Sequence, residues 1–151
     1  MDRIEATVEV EHAIVIERPL NEVWAAFDDP DLLLEWQDSL VAYEQIEGEP
    51  GATGSVSSQT IKRSSGEVKL TVTVLDRRPP EFLKAHYEGL QLPFSISNTF
   101  ISIDDETTEW HAVIDVRLNL MQKALAPVLK GPLSELAEKN GEDFKHFVES
   151  R

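Results

Sequence analysis

The sequence predicts one α+β domain in which a long C-terminal helix lies across a curved, antiparallel, seven-stranded sheet. Three patterns predict it. Apolar and polar residues alternate from Thr7 to Glu17 and again in six segments between 41 and 118, two short helical patterns separate the first strand from the second, and a helical period sets in after Met121. With 151 residues, 41% hydrophobic and 28% charged, the chain has the size of one ordinary domain and the composition of a globular protein, so residues 1–151 are read as a single domain.

In the first strand Val8, Val10, Ile14 and Ile16 share one parity, and Glu9, Glu11 and Glu17 the other. Pro19 suits a first helical turn, and Leu20, Val23, Trp24 and Phe27 follow at the spacing of one helical face. Asp29 before Pro30 reads as a cap and a first-turn proline, with Leu32, Leu33 and Trp36 as the apolar edge of a second short helix. Three glycines and a proline in Glu47–Gly54 mark a long turn between strands at Val41–Ile46 and Ser55–Arg63, and a second turn falls at Ser64–Gly66. Neither parity of Ser55–Arg63 is apolar enough to name its inward face. The alternation of Val68, Leu70, Val72 and Val74 stops at Asp76–Pro80, because proline cannot donate to a ladder. Further strands read at Glu81–Glu88, Phe94–Ile103 and Thr107–Leu118 with no helix between them, which makes the connections those of an antiparallel meander. Leu125, Leu129, Leu133, Leu136, Asn140, Phe144 and Phe147 then step by about 3.7 residues, a helical stripe whose first part Pro127 and Gly131-Pro132 are expected to kink or segment.

Charge and composition exclude several functions. The net charge is −14, and residues 1–61 hold 14 acids against Arg3 and Arg18 alone, a balance that opposes binding to nucleic acid and to anionic membranes. There is no cysteine, hence no disulfide, thiolate metal site or thiol nucleophile. No apolar run approaches the ~20 residues of a membrane span and no signal-peptide core is present, so the expectation is a soluble, cytoplasmic protein, monomer or homodimer. His86, His111 and His146 are scattered, Asp104-Asp105-Glu106 lacks the alternating ligands of a calcium loop, and the glycine-rich loop 48–54 lacks the ending of a phosphate loop. Neither metal nor cofactor is expected.

Ile16-x-x-Pro19-x-x-x-Val23-Trp24-x-x-Phe27, Asp29-Pro30 with Trp36 six residues on, Gly48-x-Pro50-Gly51-x-x-Gly54, Pro79-Pro80-x-Phe82 and the final amphipathic helix together carry a resemblance that covers nearly the whole chain. The chain resembles the helix-grip superfamily (SRPBCC), which includes START-related lipid-transfer domains, polyketide cyclases and plant pathogenesis-related ligand binders. The resemblance implies an elongated apolar cavity between the concave sheet face and the last helix. In relatives that cyclise polyketides an interior arginine works with a tyrosine or another polar partner. This chain departs from that arrangement, since Arg117 takes the outer parity, Arg18, Arg77 and Arg78 lie at element edges, and only Arg63 has an undecided parity.

The inner parity of the later strands carries Phe94, Ile96, Asn98 and Phe100, then Trp110, Ala112 and Ile114, with Tyr87 beside Leu83 and Ala85; the helix adds Leu136, Asn140 and Phe144. His12 on the apolar parity of the first strand is either a satisfied core residue or a base or ligand contact, and Asn98 and Asn140 either anchor a ligand's polar group or bond locally. Trp36, Tyr43 and Tyr87 are expected near the mouth, usable as acid, donor or lid and equally as packing aromatics. No acid–base pair nominates a catalytic residue. The leading expectation is a non-catalytic carrier or sensor of a small apolar molecule that is lipid-, quinone- or polyketide-like. The alternatives are a cyclase, dehydratase or hydrolase of an aromatic or polyketide-like substrate, and an accessory domain that docks a basic partner.

Overall fold

The computed structural model describes residues 3–151 and has the helix-grip architecture. β1 (Ala6–Ile16), α1 (Leu20–Asp28) and α2 (Pro30–Trp36) precede a meander of β2 (Leu40–Glu47), β3 (Val56–Arg63), β4 (Gly66–Arg78), β5 (Phe82–Glu88), β6 (Phe94–Asp104) and β7 (Thr107–Leu118). A 3-10 turn at Lys123–Leu125 leads into α3 (Ala126–Glu149). The strands lie antiparallel in the order β1-β7-β6-β5-β4-β3-β2. β1 and β2 therefore occupy opposite edges, and α1 and α2 carry the chain from one edge to the other.

Local chemistry sets the helix ends. Asp29 Oδ1 accepts the Asp31 N–H at 2.9 Å, with Pro30 in the first turn of α2, as the sequence predicts. Pro19 stands just outside α1 in an extended conformation (φ −61°, ψ 150°), so that helix begins at Leu20 rather than at the proline. α3 runs unbroken from Ala126 to Glu149, against the expected segmentation. Pro127 lies in the first turn, where a missing N–H interrupts no helical bond. The carbonyl that Pro132 leaves without a donor belongs to Val128, which is exposed to water.

α3 meets the sheet along β1 through Ala137, Gly141, Phe144 and Val148. The stripe read through the large residues is displaced by about one position, because Leu125 and Leu136 are 42% and 40% exposed. The small residues let the helix approach closely: a Cβ at Gly141 would stand 2.7 Å from His12 Nε2 and 2.9 Å from its Cδ2. The C-terminal end is pinned to the β1 exit, where Lys145 Nζ donates to the Val15 carbonyl at 2.6 Å, the Glu149 carboxylate accepts the Glu17 N–H at 2.8 Å, and the Arg18 guanidinium donates to the Glu149 carbonyl.

The main core is aromatic. Trp24, Phe27, Trp36, Phe100, Trp110 and Phe144 have ring centroids 4.9–6.3 Å apart, mostly edge to face, where α1 and α2 cover β6 and β7. Phe100 and Phe144, 1% and 0% exposed, are spent entirely on this cluster.

Two stability experiments test these assignments. Trp24→Ala is expected to destabilise by about 3–5 kcal/mol, and His111→Ala, on the outer face beside Glu11, by less than about 0.5 kcal/mol, as read by urea unfolding. Gly141→Ala is expected to destabilise the wild type by collision with His12, yet to add up to about 1 kcal/mol in a His12→Ala background, where only the helix preference for alanine remains. Equal effects in the two backgrounds would remove the contact from the account.

Candidate functional site: a two-chambered cavity

The sheet is wider than the helix, and the part of its concave face that α3 does not reach walls a cavity. The outer chamber holds about 200 Å³. Ile61, Leu70, Val72, Val74, Leu83, Ala85, Phe94 and Ile96 line it from β3 to β6, Phe27 and Leu33 from α1 and α2, and Leu136 from α3. Ser57 and Gln59 of β3 and Tyr43 of β2 add polar groups at the far edge. An inner chamber of about 50 Å³ lies among His12, Trp36, Asn98, Trp110, Ala112, Ile114, Ala137 and Gly141. Phe27, Gln37, Tyr87, Ile96 and Asn140 border both chambers. Neither wall contains a lysine or arginine.

Most of the candidate residues meet here. Tyr43, Tyr87, Phe94, Ile96, Leu136 and Asn140 line the outer chamber, and His12, Trp36, Asn98, Trp110, Ala112 and Ile114 the inner one. Phe100 and Phe144 do not: parity and stripe place them on the correct faces, but the aromatic plug fills that end of the sheet. Trp36 is no lid at the mouth. Packed 5.0 Å from the Phe144 ring, it forms part of the plug and of the inner wall. Arg63, whose parity the sequence leaves open, is exposed and lines neither chamber. The sequence does not single out Gln37, Ser57 and Gln59, nor the inner face of β4, as cavity residues. The signal for β3 lay in its hairpin: the Arg63↔Gly66 closure puts Gln59 opposite Leu70 and Ser57 opposite Val72, and opposed residues share a face.

The polar groups on the wall differ in whether the protein itself engages them. Asn98 is occupied by the protein, since its Oδ1 accepts the Trp110 indole N–H at 3.0 Å and its Nδ2 donates to the Leu83 carbonyl at 3.2 Å. Its bonds are local, and it does not offer a free anchor. Tyr43 donates to Gln45 Oε1 at 2.5 Å. Tyr87 stacks on Phe94 at 4.9 Å, and burial pushes its hydroxyl up to about 12, so it remains a neutral donor at any physiological pH. His12 Nε2 and Trp36 Nε1 are shielded from solvent and have no hydrogen-bond partner among the described residues. At the mouth Asp28 is held by Arg77 at 2.7 Å, a side chain at Gly51 (φ 80°) would press on that pair, and Gly51 brings the glycine-rich loop to the border of the cavity. A serine–histidine–glutamate chain, Ser95 to His86 at 2.9 Å and His86 to Glu88 at 3.2 Å, lines neither chamber.

Comparison with known proteins places this architecture in a class. The family model described as "Polyketide cyclase / dehydrase and lipid transport" matches residues 7–140, and the chain belongs to that family. Among solved structures, the ZhuI aromatase/cyclase from Streptomyces sp. R1128 superposes with a TM-score of 0.77 at 16% identity, over 97% of this chain and 96% of that one. A START superfamily protein from Mycobacterium smegmatis gives 0.70 at 13% identity over 95% of both chains. Norcoclaurine synthase from Thalictrum flavum, solved with dopamine and hydroxybenzaldehyde, gives 0.65 at 15% identity over 91% of this chain and 86% of that one. At such identities the likeness is one of fold. No curated protein matches the sequence. Among the described residues no helix is long and apolar enough to cross a membrane.

The tyrosine environments lead to a titration test. Burial raises both Tyr87 and Tyr43, with the Ser57 hydrogen bond opposing the shift at Tyr43, and the chain has only these two tyrosines. A group whose folded value lies above its unfolded one favours the folded state below the unfolded value. Its contribution disappears as pH rises through the folded value, for Tyr87 between about 10 and 12. Absorbance at 295 nm is expected to show both tyrosines ionising above their ordinary value in the native protein, Tyr87 the later, and urea stability is expected to fall from pH 9.5 to pH 11.5. A tyrosine titrating at 10 in native protein would place its ring in water.

Proposed function

We propose that the protein binds a small, uncharged, largely apolar molecule in this cavity, as a carrier or sensor. The observation that carries the reading is a wall of sheet-borne aliphatic and aromatic side chains around about 200 Å³ of space, without a lysine or arginine. Removing apolar ligand surface from water drives such binding, whereas a carboxylate or phosphate would enter with no cation to compensate its lost hydration. The volume falls below the roughly 300–1,000 Å³ of ordinary drug-sized pockets, which favours a one- or two-ring molecule or a short chain over a sterol or a two-chain lipid. Norcoclaurine synthase, a neighbour in fold, was solved with ligands of the one-ring size.

Catalysis has less support. Of the two carboxylates at the mouth, Asp28 is bound to Arg77 and Asp29 caps α2; Asn98 is bound to Trp110, and Tyr87 is held too high to serve as a base at neutral pH. An acid–base pair aimed into the cavity, which cyclisation or dehydration needs, is not assembled among the described residues.

Titration with the neutral fluorophore N-phenyl-1-naphthylamine is expected to give a dissociation constant on the order of micromolar. Ala85→Trp, which adds an indole to the outer wall, is expected to weaken binding at least tenfold because the ring takes the space a ligand would fill, and to cost about 1–3 kcal/mol of stability where it crowds Leu70 and Val72, a loss that leaves the protein folded in the assay. Unaltered probe binding in Ala85→Trp, or no binding by the wild type, would mean that the interior is not a ligand site.

A further inference from the structure

The two indoles of the inner wall are treated differently. Trp110 and Trp36 lie edge to face with centroids 6.3 Å apart, both almost fully buried. The fold supplies Trp110 with an acceptor of its own, Asn98 Oδ1 at 3.0 Å. It supplies Trp36 with none among the described residues, and His12 Nε2, on the wall of the same chamber, is likewise without a partner there. A buried N–H that leaves water without finding an acceptor is unfavourable, and native proteins rarely tolerate one without a use for it. Two such groups on the wall of one small chamber, next to a third polar group that is served by its own asparagine, indicate a partner from outside the chain.

The surroundings restrict what that partner is. An indole N–H only donates, so the partner presents an acceptor. An ionised acceptor is disfavoured, because neither chamber wall contains lysine or arginine, the mouth carries Asp28 and Asp29, and the chain as a whole is at −14. The inner chamber, about 50 Å³, takes a group of only a few atoms. Gln37, Tyr87 and Asn140 border both chambers, so a molecule that reached the inner one would pass polar side chains at the junction and leave its apolar body in the outer chamber.

We infer that the inner chamber is the head-group seat of the ligand. It receives a single neutral oxygen acceptor, a ketone, quinone or phenol oxygen, which takes the Trp36 indole N–H while His12 contacts the same group. This inference rests on the carrier reading above and deepens it, from an apolar ligand to an aryl or alkyl carbonyl or phenol that enters oxygen first.

Three probes of one shape separate the outcomes: 2-acetylnaphthalene, 2-isopropenylnaphthalene, in which the carbonyl oxygen becomes a methylene, and 2-naphthoate. The ketone is expected to bind about three- to tenfold tighter than the alkene, the margin of one net hydrogen bond, and the naphthoate weakest of the three. In Trp36→Phe, which keeps an aromatic ring in the plug, the ketone-to-alkene ratio is expected to fall toward one; a ratio is read because it cancels any general loosening. In the unmodified protein, the Trp36 indole proton resonance is expected to move downfield on adding the ketone and to stay on adding the alkene, an observation that does not depend on the variant folding. Equal affinity for ketone and alkene, with both bound, would mean that trapped water satisfies the indole, and would overturn the head-group seat while leaving the carrier reading intact. Tightest binding by naphthoate would overturn the choice of a neutral group. Failure of all three probes to bind would overturn both readings.

Discussion

A single helix cannot cover a seven-stranded sheet. A helix with its side chains is about 10 Å across and neighbouring strands are about 4.8 Å apart, so α3 can shield about two strands, and it lies on β1 with a lesser contact to β7. The remaining concave face must be covered by something else or stay open. At one end α1, α2 and six aromatic rings close it. Over β3, β4 and β5 no helix of the described residues packs down onto the face, only Phe27, Leu33 and Leu136 reach its margin, and the cavity is what that mismatch of widths leaves. Its contents follow from the same fact: the side chains that would have been core under a second helix become walls.

The sequence made the faces legible and left depth obscure. Alternation located the inner residues of β5, β6 and β7 correctly, because an outer row of charged groups such as Glu109, His111, Asp115 and Arg117 contrasts with an aromatic and aliphatic inner row. It did not resolve β3, whose inner Ser57 and Gln59 are as polar as its outer Ser58. Parity states which side of the sheet a residue faces, not how far along the strand the filled end begins, so Phe100 and Phe144 look like cavity residues in sequence and are packed solid in the fold. The helix stripe drifted for a related reason. Large residues attract the eye, but Ala137 and Gly141 make the contact, and Leu136 is left to edge the opening.

The acidic N-terminal half is compatible with this interior because the carboxylates that border it are already engaged. Asp29 caps α2, Asp28 holds Arg77, and Glu11 meets His111 on the outer face. The negative field therefore surrounds the mouth without adding a bare charge to the wall, and it disfavours anions before they reach the opening.

The position of β1 at the sheet edge farthest from β2 bears on the order of assembly. β2 to β7 are joined by successive hairpins and can zip locally, but pairing Ile16 with Thr108, 92 positions on, closes a long loop whose entropy must be met before any contact rewards it. β1 is also the strand on which α3 rests and from which His12 projects. On loop-closure grounds the inner chamber is then expected to be completed late in folding and lost early in unfolding. A molecule held there would act as a clasp on the latest-formed seam, lengthening the lifetime of the native state by more than its contribution to any earlier step.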